Sequence, residues 1–177
     1  MPMKITSAVL ESFLLCHLKG YLKLRGDVGT VSEFEQMVVE RRADIRLKVA
    51  EALLAKEPAD SIDRCVPLTV TALKSGNRLI LDAVLENDVF SLHFDGLTRV
   101  EGSSGLGRFY YVPMLIHDSR QIRKLGGTLL ALHGLTLARV QGKRPEFGFI
   151  WNGKDGKSQK VRVHRYLEEA ERIMVLI

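Results

Sequence analysis

Val89-Phe90-Ser91-Leu92-His93-Phe94-Asp95-Gly96-Leu97 and, beyond a glycine-rich turn, Phe109-Tyr110-Tyr111-Val112-Pro113-Met114-Leu115-Ile116-His117 are the two runs on which the reading of this chain turns. Aliphatic, aromatic and β-branched residues dominate both, which predicts strands over 89–94 and 109–117. The first run closes on Asp-Gly, turn chemistry that places the Asp95 carboxylate at a strand end. In the second, side chains alternate with a period of two, so positions 115 and 117 share one face. Upstream, residues 66–73 and 78–85 have the same character. The separators Ser75-Gly76-Asn77 and Glu86-Asn87-Asp88 are turn formers, so 66–94 is predicted to be an antiparallel meander.

Outward from this meander the period changes. Residues 6–24 carry Val9, Phe13, Leu14 and Leu18 on one helical face. Ser32 and Glu35 have capping-box spacing and open a long helix that ends before Pro58, with Phe34, Val38, Ile45, Val49 and Leu53 at helical steps. A leucine-rich helix is predicted over 119–141, strands over 147–151 and 161–163, and a last helix from about Arg165. Strands flanked by helices on both sides in sequence imply an α/β or α+β sandwich. At 177 residues, with no repeat and no Pro/Gly/Ser-rich linker, 1–177 is expected to be one domain, complete or cut from a longer protein. The apolar ending Arg172-Ile173-Met174-Val175-Leu176-Ile177 suits either.

Charge is uneven. Between Arg120 and Arg165 stand 11 Lys or Arg against two acids, Glu146 and Asp155, whereas the rest of the chain holds 15 basic and 19 acidic residues. Clustered basic charge is what phosphate binding needs, because contact releases condensed counterions. A solvated basic surface is the plain alternative. Arg123, Lys124, Lys143 and Arg144 are the candidate phosphate contacts; Lys154, Lys157 and Lys160 lie in a Gly-rich loop. No apolar run approaches the ~20 residues of a membrane span, and the N-terminal segment lacks a signal-peptide pattern. Two cysteines, Cys16 and Cys65, are too few for a disulfide framework or a zinc site, so a reducing cytoplasm is the expected compartment. Cys16 is expected in the core. The run Gly102-Ser103-Ser104-Gly105-Leu106-Gly107 lacks the Lys-Ser/Thr ending of a phosphate loop and reads as a hairpin connection.

Three stretches carry a resemblance: Ile5-Thr6-Ser7 leading to Phe13-Leu14-Leu15-Cys16-His17; Phe94-Asp95-Gly96-Leu97 with the strand from Tyr110 to His117; and Gln141-Gly142-Lys143-Arg144-Pro145-Glu146-Phe147-Gly148-Phe149-Ile150-Trp151. In this order they resemble RecB-like nucleases of the PD-(D/E)XK superfamily, including CRISPR-associated exonucleases of that type. The resemblance implies an α/β fold with a restriction-endonuclease-like core, a mixed central sheet flanked by helices. It also implies metal-dependent phosphodiester hydrolysis with Mg²⁺ or Mn²⁺ held by carboxylates. Asp95 matches the Asp of the family pattern. On the next strand Leu115 stands at the family acid and His117 at the family lysine, so Asp118 is the candidate replacement carboxylate. The catalytic set is then Asp95, His117 and Asp118, and the metal set Glu40, Asp95 and Asp118, with Glu35 as the alternative helical acid. The family's Gln is absent from the helix after the motif strand, and His133 stands in the region of its Tyr. Cluster-bearing members need four cysteines, so no iron–sulfur cluster is expected. DNA is the implied partner, RNA an alternative, and a helicase or similar enzyme a fusion partner. Three functions remain open at this level: a metal-dependent DNA nuclease, a non-catalytic nucleic-acid-binding or scaffolding domain, and a plain interaction domain.

Overall fold

The computed structural model describes residues 4–27, 29–117, 123–153 and 156–177, with all their side chains except that of Arg123. Strands β1 (Ile5–Thr6), β2 (Ile62–Arg64), β3 (Leu79–Glu86), β4 (Phe90–Ser104), β5 (Gly107–His117), β6 (Phe147–Asn152) and β7 (Lys157–Arg162) form one mixed sheet. Helices α1 (Ser7–Leu15), α2 (His17–Leu24), α3 (Glu33–Leu54), α4 (Val70–Leu73), α5 (Arg123–Gln141) and α6 (Leu167–Leu176) cover it. The order is β2-β3-β4-β5-β6-β7, with β1 attached to β4. β3, β4 and β5 are successive antiparallel neighbours, α5 crosses over to the parallel strand β6, and β7 returns antiparallel. The expected α/β class with a mixed, helix-flanked sheet is what the molecule has.

Two apolar layers sandwich the sheet. On one side α1, α5 and α6 pack Leu10, Phe13, Leu130, Leu132, Leu137 and Ile173 against Ile80, Phe94 and Tyr111. On the other, the C-terminal half of α3 packs Val49, Ala50 and Leu53 against Leu79, Leu81, Met114 and Ile116. The capping box of Ser32 and Glu35 opens α3 as predicted. Phe34, expected on the apolar face of its N-terminal half, is exposed. No helix among the described residues is long and apolar enough to cross a membrane.

Three boundaries differ from expectation. Residues 6–24 are two helices broken at Cys16, whose backbone is extended. The break folds α2 back on α1, where a Cβ on Gly20 would lie 2.3 Å from the Phe13 ring. Cys16 is consequently exposed, not core. Residues 66–73 are not a strand: Val66 and Leu68 bond to the edge of β3, and the Thr69 side chain then caps α4. β4 runs on through Asp-Gly to Ser104, so Asp95 lies inside a strand, and the turn comes at the hairpin tip between Ser104 and Gly107.

What sets the position of the cleft is the edge of β4. β5 pairs with it from Gly96 onward and β1 at Phe90 and Ser91, leaving the rungs between them without a strand on that side. Side chains fill the gap. The Ser7 hydroxyl accepts from the His93 amide at 2.9 Å and donates to the His93 carbonyl at 3.4 Å, and the Asp95 carboxylate accepts from the Ile116 amide at 2.8 Å. At the same level the inside–outside alternation slips. Ile80 and then Ala83 share one core layer on β3, as do Phe94 and then Leu97 on β4. Asp82, with a left-handed φ of 54°, marks the slip on β3. Local irregularity in a strand re-aims side chains, and here it brings polar groups to the middle of a sheet.

Gln141, fully buried at the end of α5, plays a similar part further along β5. Its amide accepts from the Tyr111 N–H at 2.8 Å and donates to the Tyr111 carbonyl at 3.0 Å and the Lys143 carbonyl at 2.9 Å. Gln141→Leu keeps the bulk and orphans these buried backbone groups. A loss of about 2–4 kcal/mol in unfolding free energy is expected, measured by urea denaturation; a loss under about 0.5 kcal/mol would mean that water substitutes freely for the side chain.

Candidate binding cleft

The gap in the edge of β4 opens into a cleft of about 290 Å³. Its polar lining comes from α1 (Ser7, Glu11), α3 (Arg42, Arg46), β4 (His93, Asp95), the end of β5 (His117) and α5 (His133). Leu15, Val39, Leu115, Leu125, Leu129 and Ile150 supply its apolar walls. Asp95, Leu115 and His117 therefore meet in one cleft, as their order and spacing in the sequence led one to expect.

Asp95 is almost wholly buried. One oxygen holds the Ile116 amide; the other lies 2.7 Å from Arg46 Nε, off the direction of a good hydrogen bond, so that contact is chiefly electrostatic. Burial raises the Asp95 carboxyl above the ordinary aspartate range, against the opposing pull of Arg46, the Ile116 amide and His93, while Glu11 adds to the rise. His93 lies between two carboxylates, Nδ1 at 3.9 Å from Asp95 and Nε2 at 3.6 Å from Asp82. Nearer the mouth, Arg42 reaches Glu11 at 2.9 Å and His117 Nε2 at 3.4 Å. Each acid of the cleft is thus matched by an arginine from α3. The i, i+4 spacing of Arg42 and Arg46 puts both guanidinium groups on one helical face.

His133 sits deepest. It is buried, its ring stacks at 4.4 Å on Phe94, and neither ring nitrogen has a hydrogen-bond partner among the described residues. Desolvation, with the nearby His93 and Arg46 adding to it, pushes its pKa down to about 3, so the imidazole is neutral at physiological pH.

The other expected site residues lie elsewhere. Glu40 is exposed on α3, bonded to Gln36, and does not line the cleft. Glu35 serves the capping box and pairs with Lys19. The acid that does enter is Glu11 on α1, a residue the sequence reading passed over; its one-turn offset from Ser7, i to i+4, could have drawn notice once Ser7 was known to plug the sheet. Asp118 and the side chain of Arg123 lie outside the described residues. Lys124 is exposed at the cleft end of α5, whereas Lys143 and Arg144 follow its far end, roughly 25 Å away by helix rise. Lys143 lies 4.6 Å over the Tyr110 ring and Arg144 faces Glu171 at 4.0 Å. Lys157 and Lys160 lie on β7, the edge strand, where lysines discourage pairing with other chains.

A divalent metal needs several converging oxygen ligands. Both Asp95 oxygens are engaged, Leu115 offers no ligand, and no group of three or more His, Cys, Asp or Glu side chains among the described residues converges to hold a metal. The described residues of the cleft do not fit the Mg²⁺ or Mn²⁺ that the family resemblance implies. No protein-family model and no curated protein matches this chain.

The buried imidazole has a pH signature. An unfolded histidine gains its proton near pH 6.5, whereas His133 in the fold does so only near pH 3. Its contribution to stability is therefore complete above pH 6.5 and is lost as the pH falls from 6.5 toward 3. His133→Phe removes this loss. Between pH 7.5 and pH 4 the stability difference should move in favour of the variant by about 3 kcal/mol, read from urea unfolding at each pH. A difference that stays constant with pH would mean that the imidazole can acquire its proton within the fold.

Proposed function

We propose that this chain is a RecB-like, nuclease-type domain that engages DNA at the cleft, in a form that has lost efficient metal-dependent cleavage. The observation that carries the reading is the meeting of Asp95, Leu115 and His117 at the end of β5. It occurs within an antiparallel meander, a crossover helix and a parallel fourth strand, in the order that the PD-(D/E)XK resemblance implies. The loss of cleavage follows from the same place. Leu115 puts a hydrocarbon where the family pattern has a carboxylate, and Arg46 lies against Asp95 where a metal ion would need its oxygens. Arg42, Arg46 and Lys124 leave a cationic rim suited to a phosphodiester backbone.

A second reading retains hydrolysis, and Glu11 favours it, because it brings a second carboxylate into the cleft with Asp95 and His117. Binding and cleavage assays separate the two. At low salt the domain should bind single- or double-stranded DNA with little sequence preference. Lys124→Ala should lower the log–log salt slope by about 1, and the double variant Lys143→Ala, Arg144→Ala by about 2 if the strand follows α5 to its far end. Cleavage in Mg²⁺ or Mn²⁺ should stay at background and rise in the double variant Leu115→Glu, His117→Lys. Robust cleavage by the parent that disappears in Asp95→Ala would establish the second reading. Absence of DNA and RNA binding at low salt would leave a plain interaction domain.

A further inference from the structure

The least explained group in the molecule is His133. A neutral imidazole carries one N–H donor and one acceptor, and leaving a buried polar group without a partner is costly. Here both nitrogens, buried from solvent, lack a partner among the described residues, and the ring borders the cleft. Around it the cleft has two distinct linings. Leu115, Leu129 and Ile150 form an apolar wall, while Arg42 and Arg46 bring guanidinium groups toward the same space. Arg46 reaches Asp95 through Nε, and more than a third of its side chain is exposed. Arg42 keeps about a third of its own exposed while it holds Glu11. An apolar concavity with a few convergent polar groups is the usual form of a small-molecule site, and this one is at the lower end of the size range.

From this arrangement we infer that the cleft binds a small organic anion without a divalent metal: a phosphate monoester or carboxylate carried on an apolar or heteroaromatic body no larger than a mononucleotide. The body lies against Leu115 and Leu129, a polar atom on it pairs with His133, and the anionic group meets Arg42 and Arg46. Asp95 and Glu11 are paired with these same two arginines, so the anion binds through the guanidinium N–H groups that the ion pairs leave exposed. The inference stands on the cleft alone and does not require that the domain bind a DNA strand. A free metabolite and the phosphorylated end of a strand present the same chemistry, and the test has an arm for each.

The experiment is isothermal titration of the parent protein in EDTA with thymidine 5′-monophosphate, phenyl phosphate, benzoate, thymidine and inorganic phosphate. A 5′-phosphorylated dodecanucleotide and its unphosphorylated form make up the strand arm. At least one of the three organic anions should bind at least tenfold more tightly than both thymidine and inorganic phosphate, with an affinity unchanged by Mg²⁺. His133→Phe, which keeps a ring in place, should weaken that probe at least tenfold, and Arg42→Gln should do the same from the other end of the site. Circular dichroism checks that both variants are folded. If only the phosphorylated dodecanucleotide gains affinity from its phosphate and loses it in both variants, the source is a strand end; if only the small anions respond, it is a free molecule. Either result supports the inference. It is overturned if no probe binds at millimolar concentration, if inorganic phosphate binds as tightly as the organic anions, or if both folded variants bind as the parent does. Loss of the small-anion probe in both variants with DNA binding unchanged would support the inference and place the nucleic-acid surface elsewhere.

Discussion

The Ile116 amide donates to the Asp95 carboxylate at 2.8 Å and not to a neighbouring strand, and the cleft depends on that substitution of a side chain for a backbone. A sheet normally satisfies its amides by pairing strands, and an unpaired amide in the interior is costly. Here β5 and β1 take different parts of one edge of β4, and the rungs between them are closed by Asp95 and Ser7. Two polar side chains are thereby fixed in the middle of an otherwise apolar sandwich. Arg46 accompanies Asp95, because a carboxylate so enclosed needs a countercharge. Arg42, one turn earlier on α3, then faces Glu11 in the same way.

The arginines decide what chemistry the cleft favours. A guanidinium group beside each acid supplies charge in a fixed planar fork, suited to phosphate and carboxylate groups. A metal ion would supply charge together with open coordination positions at which water is activated. Leu115 contributes hydrocarbon to the described cleft, and His133 a neutral donor and acceptor.

Much of this architecture is legible in the residues. The 78–94 and 109–117 strands, the capping box of α3 and the leucine-rich α5 follow from period and turn chemistry, and the shared face of positions 115 and 117 from the strand period; that Asp95 meets them is an expectation of the family resemblance. The errors have physical causes. Asp95-Gly96 looks like a turn because Asp-Gly usually is one. In the fold a carboxylate that can accept from the next strand lets β4 continue, and Gly96 makes room for Met114 and Leu81, which a Cβ would crowd at 2.3 and 3.2 Å. Cys16 lies in an apolar run, yet the break beside it turns it to solvent, since periodicity carries no information about where a helix folds back. Glu11 and Ser7 could not be singled out, because their importance arises from a gap in the edge of β4, which lies far from them in sequence. Glu40 attracted notice through its place on a long helix, but its side chain is exposed and bonded to Gln36 on the same helix.

Ser7 belongs to the first turn of α1 and yet completes the sheet, so the edge of β4 is closed by a helix. The His93 amide is therefore as protected as that docking, and no more. Local opening of α1 would expose it to solvent exchange without unfolding of the β3–β4–β5 meander. The floor of the cleft thus has its own stability, set by how firmly Val9, Leu10 and Phe13 hold α1 to the core. Substitutions of those three residues would loosen one wall of the cleft while leaving the rest of the sheet in place.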